Sequence, residues 1–264
     1  MTANLVYSAA LGRLIRAGGP PGDLGRSTLL EAYDAIDRGE PEEAKRLLES
    51  FRYEQQTIQD IYVDWIWAML TWVRDEVGEP EVERIMRETL GSWALARYAN
   101  YLDLGFGERL ALTVEGMRGH LSGPDRLGSI DVEDEGDRVV VSFDPCGSGG
   151  RARRGDPARG VPAAAERPEF GFSAAAHDWT WGRAGVCLYC AHCSLVNEIL
   201  PIERLGFPMR VTEYPESPAD KCRWILYKDP HDVPADAYER VGKTKPTREE
   251  LEQLWARVRA ESAG

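Results

Sequence analysis

Between Glu42 and Val77 apolar residues recur at Leu47, Leu48, Phe51, Ile58, Ile61, Tyr62, Trp65, Met69, Trp72 and Val73. Steps of three and four residues mark one helical face, so the pattern predicts a long amphipathic helix with a buried stripe. Pro41 stands where a first helical turn accepts proline, and Gly78 with Pro80 closes the segment. Glu54 and Gln55 interrupt the stripe and mark either the rim of a pocket or the point where the helix leaves the core. The same period predicts a second helix through Val82, Ile85, Met86, Leu90, Trp93 and Tyr98, and a third through Leu110, Val114, Met117 and Leu121. Two shorter segments, near 4–16 and 27–38, are also predicted helical.

The period changes after Gly123. In "SIDVEDEGDRVVVSFD" Val139, Val141 and Phe143 alternate, which predicts two strands joined at Glu135-Gly136. "DPCGSGGR" follows and reads as a turn that neither a helix nor a central strand would hold. Residues 151–168, rich in Arg, Ala, Gly and Pro and without a period, predict a mobile loop. A short helix is expected over about 190–204, with Pro201 ending or kinking it, and then a hairpin made by "FPMRVTEY" and "KCRWILYK". Thr247 gives a capping signal for a closing helix over 247–262. The whole predicts an α+β chain. A helical region, 1–123, packs on an α+β region, 124–264, whose small antiparallel sheet of hairpins carries a Cys-rich metal site.

Composition adds limits. At 43% hydrophobic and 29% charged residues the chain has the balance of a globular protein. A net charge of −12 opposes long-range attraction to nucleic acid or an anionic membrane surface. No apolar run approaches the roughly eighteen residues of a membrane helix, and the first residues lack a secretory pattern, so the cytoplasm is the expected compartment. Thiols stay reduced there, which directs clustered cysteines toward metal or catalysis.

The five cysteines all fall between positions 146 and 222, and three of them, Cys187, Cys190 and Cys193, stand in "VCLYCAHC". Thiolates are soft donors for zinc, and a two-residue spacing lets one chain turn aim two sulfurs at one ion. C-x2-C-x2-C also resembles the opening of a ferredoxin run, although "SLVNEILP" stands where a fourth cysteine and proline would come. Cys146, His192, His177 and Cys222 are the candidates to complete the set, with Cys222 also read as a small core residue. The histidines favour Zn2+, with a [4Fe-4S] cluster as the alternative.

Gly149 and Gly150, with Arg151 beside them, would turn backbone amides and one charge toward an anion. Their rival reading is turn geometry alone. In "HDWTWG" His177 and Asp178 pair an imidazole with a carboxylate against Trp179 and Trp181, an arrangement for a general base beside an apolar wall. Glu198, just past the cysteines, is a candidate proton shuttle, although most helical glutamates face water. His120 is expected to be a satisfied histidine.

The late cysteine followed by aromatic and aliphatic strand residues, Cys222, Trp224 and Tyr227, resembles the 4-vinyl reductase type of small-molecule-binding domain and the aminothiazoline carboxylate hydrolases, over about residues 125–230. The resemblance implies a ligand pocket between helices and sheet, used for hydrolysis or sensing. Together these features predict a zinc-dependent hydrolase or lyase for a small anionic or aromatic molecule. The rivals are a non-enzymatic small-molecule sensor with a structural zinc and an iron–sulfur redox or lyase protein. Neither nucleic acid nor membrane is an expected partner.

Overall fold

The computed structural model describes residues 5–16, 24–98, 100–156 and 160–262, and side chains within them except at 14, 16, 93, 95–98 and 262. The chain divides into two compact units, Met1–Ile61 and Tyr62–Gly264.

In the first unit, β1 (Leu5–Ser8) and β2 (Arg13–Arg16) pair as an antiparallel hairpin. This corrects the helix expected near 4–16: Gly12, at φ 62°, takes the left-handed conformation that a reversing loop requires and that a helix excludes. The chain then enters α1 (Thr28–Asp37), where the Ser27 side chain accepts a hydrogen bond from the Leu30 amide. Ala32, Ala35, Ala44, Leu47 and Leu5 form this unit's small core.

α2 (Pro41–Val77) is the long predicted helix, and the unit boundary falls inside it. Of the expected stripe Leu47 and Val73 are buried, but most of the others face solvent. Val63 is buried and Trp67, Leu70 and Val73 enter the core of the second unit, whereas Leu48, Ile58, Ile61, Tyr62, Trp65, Met69 and Trp72 are exposed. The stretch "IYVDWIWAMLTWV" is apolar around nearly its whole circumference, so periodicity alone did not decide which face packs. Gly78, at φ 101°, breaks the helix, and α3 (Glu79–Tyr98) starts at once with Pro80 in its first turn. Of the residues that predicted α3, the side chains of Trp93 and Tyr98 lie outside the described residues. α4 (Phe106–Gly119) follows, with Glu108 Oε2 accepting from the Gly105 amide.

β3 (Asp131–Asp134) and β4 (Arg138–Phe143) form the predicted hairpin. After it, Gly149–Arg154 is a one-and-a-half-turn helix, α5, which corrects the expected turn and loop. Glycine at its start costs helix propensity, but "RARR" supplies good helix formers to hold the turn. The rest of the expected loop is partly ordered by an Asp156–Val161 bridge and a 3-10 turn at Ala164–Glu166, while 157–159 lie outside the described residues.

The helix expected over 190–204 appears as a run over 192–205, α6, α-helical at His192–Ser194 and Leu200–Leu205 with a π-helical turn, Leu195–Ile199, between them. Pro201 sits in the first turn of the last segment, where its missing amide is tolerated. β5 (Val211–Glu213) and β6 (Cys222–Tyr227) complete a four-stranded antiparallel sheet in the order β3-β4-β6-β5. The short α7 (Ala235–Glu239) and the closing α8 (Arg248–Ser262) end the chain. Thr247 and Glu250 cap α8 reciprocally, as the sequence predicts.

The fold is therefore α+β, mostly helical, around a small antiparallel sheet. Val139, Val141 and Phe143 stand opposite Leu226, Trp224 and Cys222, and this face packs on Met117 of α4. The other face carries Ile225 and Val211 into the larger core, shared with Trp67 of α2, Val82 and Met86 of α3, and Val186, Leu188 and Leu195. The cysteine segment thus lies between helices and sheet. Among the described residues no helix is long and apolar enough to cross a membrane.

Candidate functional site: a thiol-lined cavity

Three chain segments meet at one cavity. β4 delivers Cys146 three residues past its end, β6 begins with Cys222, and the segment at the start of α6 carries Cys190, just before the helix, and Cys193, in its first turn. All four cysteines line a cavity with about 50 Å3 of space for a water-sized sphere, together with His120, His192 and Arg153. Its wall is mostly apolar: Phe143, Trp181, Tyr189, Tyr214 and Trp224. Cys187 is fully buried behind Cys190, whose amide donates to its sulfur at 3.2 Å.

Two glycines permit this convergence. A Cβ at Gly147 would sit 1.6 Å from the His120 carbonyl oxygen, so only glycine lets the chain cross the end of α4. A Cβ at Gly149 would stand 2.3 Å from Cys190 Sγ, so the thiol occupies the space a side chain would need. Gly150 donates its amide to Cys146 Sγ at 3.0 Å. Gly149 and Gly150 line the cavity, and the task visible here is to admit and hold sulfur.

The thiols are not equivalent. A hydrogen bond from Cys187 and the charge of Arg153 hold Cys190 below the ordinary thiol range, against the opposing effect of burial. Burial pushes Cys146, Cys193 and Cys222 up, and Cys187 as well, with its bond to Cys190 adding to the rise. Cys190 is therefore the first of the five to become a thiolate.

His192 Nδ1 contacts the Tyr189 carbonyl and must donate to it, which leaves Nε2 without a proton, 3.5 Å from Cys193 Sγ. Burial lowers the pKa of His192 to about 4. An imidazole of unfolded pKa about 6.5 then binds its proton in the unfolded state first, so stability should fall as pH drops from about 6.5 to 4. For the metal-free chain we expect a loss on the order of 2–3 kcal/mol across that window, smaller in His192→Gln, read from urea unfolding at several pH values. Equal pH dependence in the two proteins would contradict the assignment.

The other expected site residues lie outside the lining of this cavity, apart from Trp181. His177 Nε2 bonds Glu79 at 2.6 Å and its ring stacks on Trp179. Burial presses the Glu79 pKa upward, but His177 and the amides of Ala174 and Ala175 together hold it below the ordinary value. Asp178 begins a 3-10 turn and packs so close to Gly242 that a Cβ there would meet its carboxylate. Trp179 is buried core, and Arg151 turns to Asp64 of α2 at 2.6 Å. Glu198 is fully buried in the π-helical turn, its carboxylate accepting from Trp181 Nε1, the Thr212 amide and Arg240. Desolvation raises its pKa in spite of Arg240. With both oxygens occupied, Glu198 sets the position of Trp181 in the cavity wall.

Sequence reasoning passed over Arg153, Tyr189 and Tyr214. Arg153 is only 6% exposed, lies over the Tyr214 ring, and donates to the carbonyls of Pro215 and Glu216. The available signal is the run "RARR", in which Arg153 lies on a different helix face from Arg151 and Arg154. Cys222, a candidate to complete the metal set with a core role as its rival reading, and His120, expected to be a satisfied histidine, both reach the cavity.

Among the described residues no group of three or more Cys, His, Asp or Glu side chains is gathered closely enough to hold one ion. Comparison with family models, curated proteins and solved structures returned no match.

Proposed function

We propose that the protein is a cytoplasmic metal-dependent enzyme whose cavity thiols hold a soft metal centre, zinc in the first reading, and whose aromatic wall takes a small anionic or aromatic molecule for hydrolysis or elimination. The single observation that carries this is four thiols from three chain segments opening on one cavity, next to a proton-free histidine nitrogen. Cys190, the most acidic thiol, and His192 Nε2 are the donors best prepared for zinc, since only the thiolate and the neutral imidazole ligate. A zinc ion held by these donors with one position open would supply a bound water of pKa near 7 as nucleophile.

The chain's own groups then bind and orient. Arg153 Nε and Trp224 Nε1, in two side chains of the cavity lining, are buried without a hydrogen-bond partner. Tyr214 and Trp181, stacked with ring centroids 5.4 Å apart, provide a flat apolar surface for an aromatic group. Burial keeps Tyr189 and Tyr214 protonated well above the ordinary tyrosine range, so both act as neutral donors.

One observation favours a second reading, an iron–sulfur cluster. The thiols surround a space and are not drawn in around one point, which asks for less rearrangement from a polynuclear cluster than from a single ion. Elemental analysis of freshly purified protein separates the two. Colourless protein with about one zinc per chain supports the first, and brown protein with iron and sulfide supports the second. Cys190→Ser should lose the metal in either case. Protein purified anaerobically and free of zinc and iron, or full retention in Cys190→Ser, would overturn the proposal.

A further inference from the structure

Within the second unit, α2 turns a contiguous apolar stripe to solvent: Tyr62, Trp65, Ile66, Met69 and Trp72, each between 44% and 62% exposed. The opposite side of the same turns is already committed, because Val63, Trp67, Leu70 and Val73 are buried and Trp67 Nε1 donates to the Gly171 carbonyl at 2.7 Å. From the usual size of such side chains the stripe exposes on the order of 500–600 Å2, at the upper end of what a monomer normally leaves uncovered. Doubled across a two-fold axis it gives about 1,000–1,200 Å2, enough for a specific interface.

We propose that this face binds a second copy of the chain, α2 against α2, antiparallel. The stripe is self-complementary about position 67: Tyr62 then meets the partner's Trp72, and Trp65 meets the partner's Met69, a pairing of aromatic ring with aromatic ring and with thioether. Spacings of three and four residues are those of helices packed at a shallow angle. Antiparallel packing also keeps the acidic ends at Asp75 and Glu76 of the two copies apart, where parallel packing would place them side by side. The same acidic residues and the net charge of −12 disfavour an anionic lipid surface as the occupant, because interfacial helices carry lysine and arginine beside the apolar face.

Light scattering on the full-length chain during gel filtration tests this. At micromolar concentration the mass should be twice the 29.5 kDa of one chain and should fall on dilution. The double variant Trp65→Glu, Met69→Glu should run as a monomer with an unchanged circular dichroism spectrum, and Leu112→Glu, at an exposed apolar position on α4, should stay dimeric. A monomeric wild-type chain, a dimer that survives the double variant, or a monomer that instead sediments with phosphatidylglycerol vesicles would overturn it. If the double variant were unfolded, Met69→Gln alone should still weaken dimerisation by tenfold or more; no change there would also overturn it.

Discussion

Glu198→Ala should cost about 3–5 kcal/mol of unfolding free energy, the largest single loss expected in this protein. The carboxylate is fully buried and is the shared acceptor of Trp181, the Thr212 amide and Arg240. Truncation leaves the buried indole N–H of Trp181 and the Thr212 amide without a partner, and leaves the Arg240 guanidinium, 28% exposed, without its counter-charge, so each buried donor carries its desolvation cost. A companion variant separates this cause from simple cavity formation. Glu198→Leu combined with Arg240→Leu removes both charges and fills the space, so it should recover most of the loss. Urea unfolding of the three proteins reads the result. A single variant within 1 kcal/mol of wild type, on the scale of an ordinary surface change, would show that the network contributes little. Because Glu198 holds Trp181, the same variant should also loosen the cavity wall, visible as a shift in tryptophan emission.

Gly149→Ala is expected to have the largest effect on the site itself. The added methyl would stand 2.3 Å from Cys190 Sγ and 3.3 Å from the Tyr189 ring, so the thiol must leave its place. Overpacking of this kind costs about 1–3 kcal/mol. The displaced sulfur should lower metal retention by about ten- to a hundredfold, the range found when the support of a ligand is lost. Reaction of Cys190 with a thiol reagent should change as well, since the thiol would lose its bond to Cys187 and its distance from Arg153. Normal metal content and normal thiol reactivity in Gly149→Ala would mean that the close contact is not what positions Cys190.

Both variants act on residues whose type was visible early but whose task was not. Gly149 was read as part of an anion-binding turn, and its glycine character is accounted for by a sulfur from a segment 41 positions later in the chain. Glu198 was read as a proton shuttle on a helix. Its burial follows from the π-helical turn, which brings Asn197 and Glu198 together onto β5, where Thr212 meets both. No local pattern announces that extra residue in the turn. For Cys222 the sequence leaves a ligand role and a core role open, and the register that places it opposite Phe143 brings it to the same cavity as Cys146.

Local physics determined much of this protein. The three long helices, the two hairpins of the four-stranded sheet and the Thr247 cap follow from hydrophobic period, alternation and side-chain capping, each of which acts over a few neighbouring residues. The clustering of thiols in the second half of the chain was also plain from position alone. Tertiary structure decided the rest. It chose which side of the doubly apolar stretch 61–73 packs, turned the first segment into a hairpin, coiled "GGRARR" into a short helix, and joined cysteines from three segments around one space. Apart from the first hairpin, whose pairs span eleven positions or fewer, those outcomes depend on contacts between residues tens of positions apart, whose gain in buried area outweighs local preference and leaves no periodic trace in the sequence.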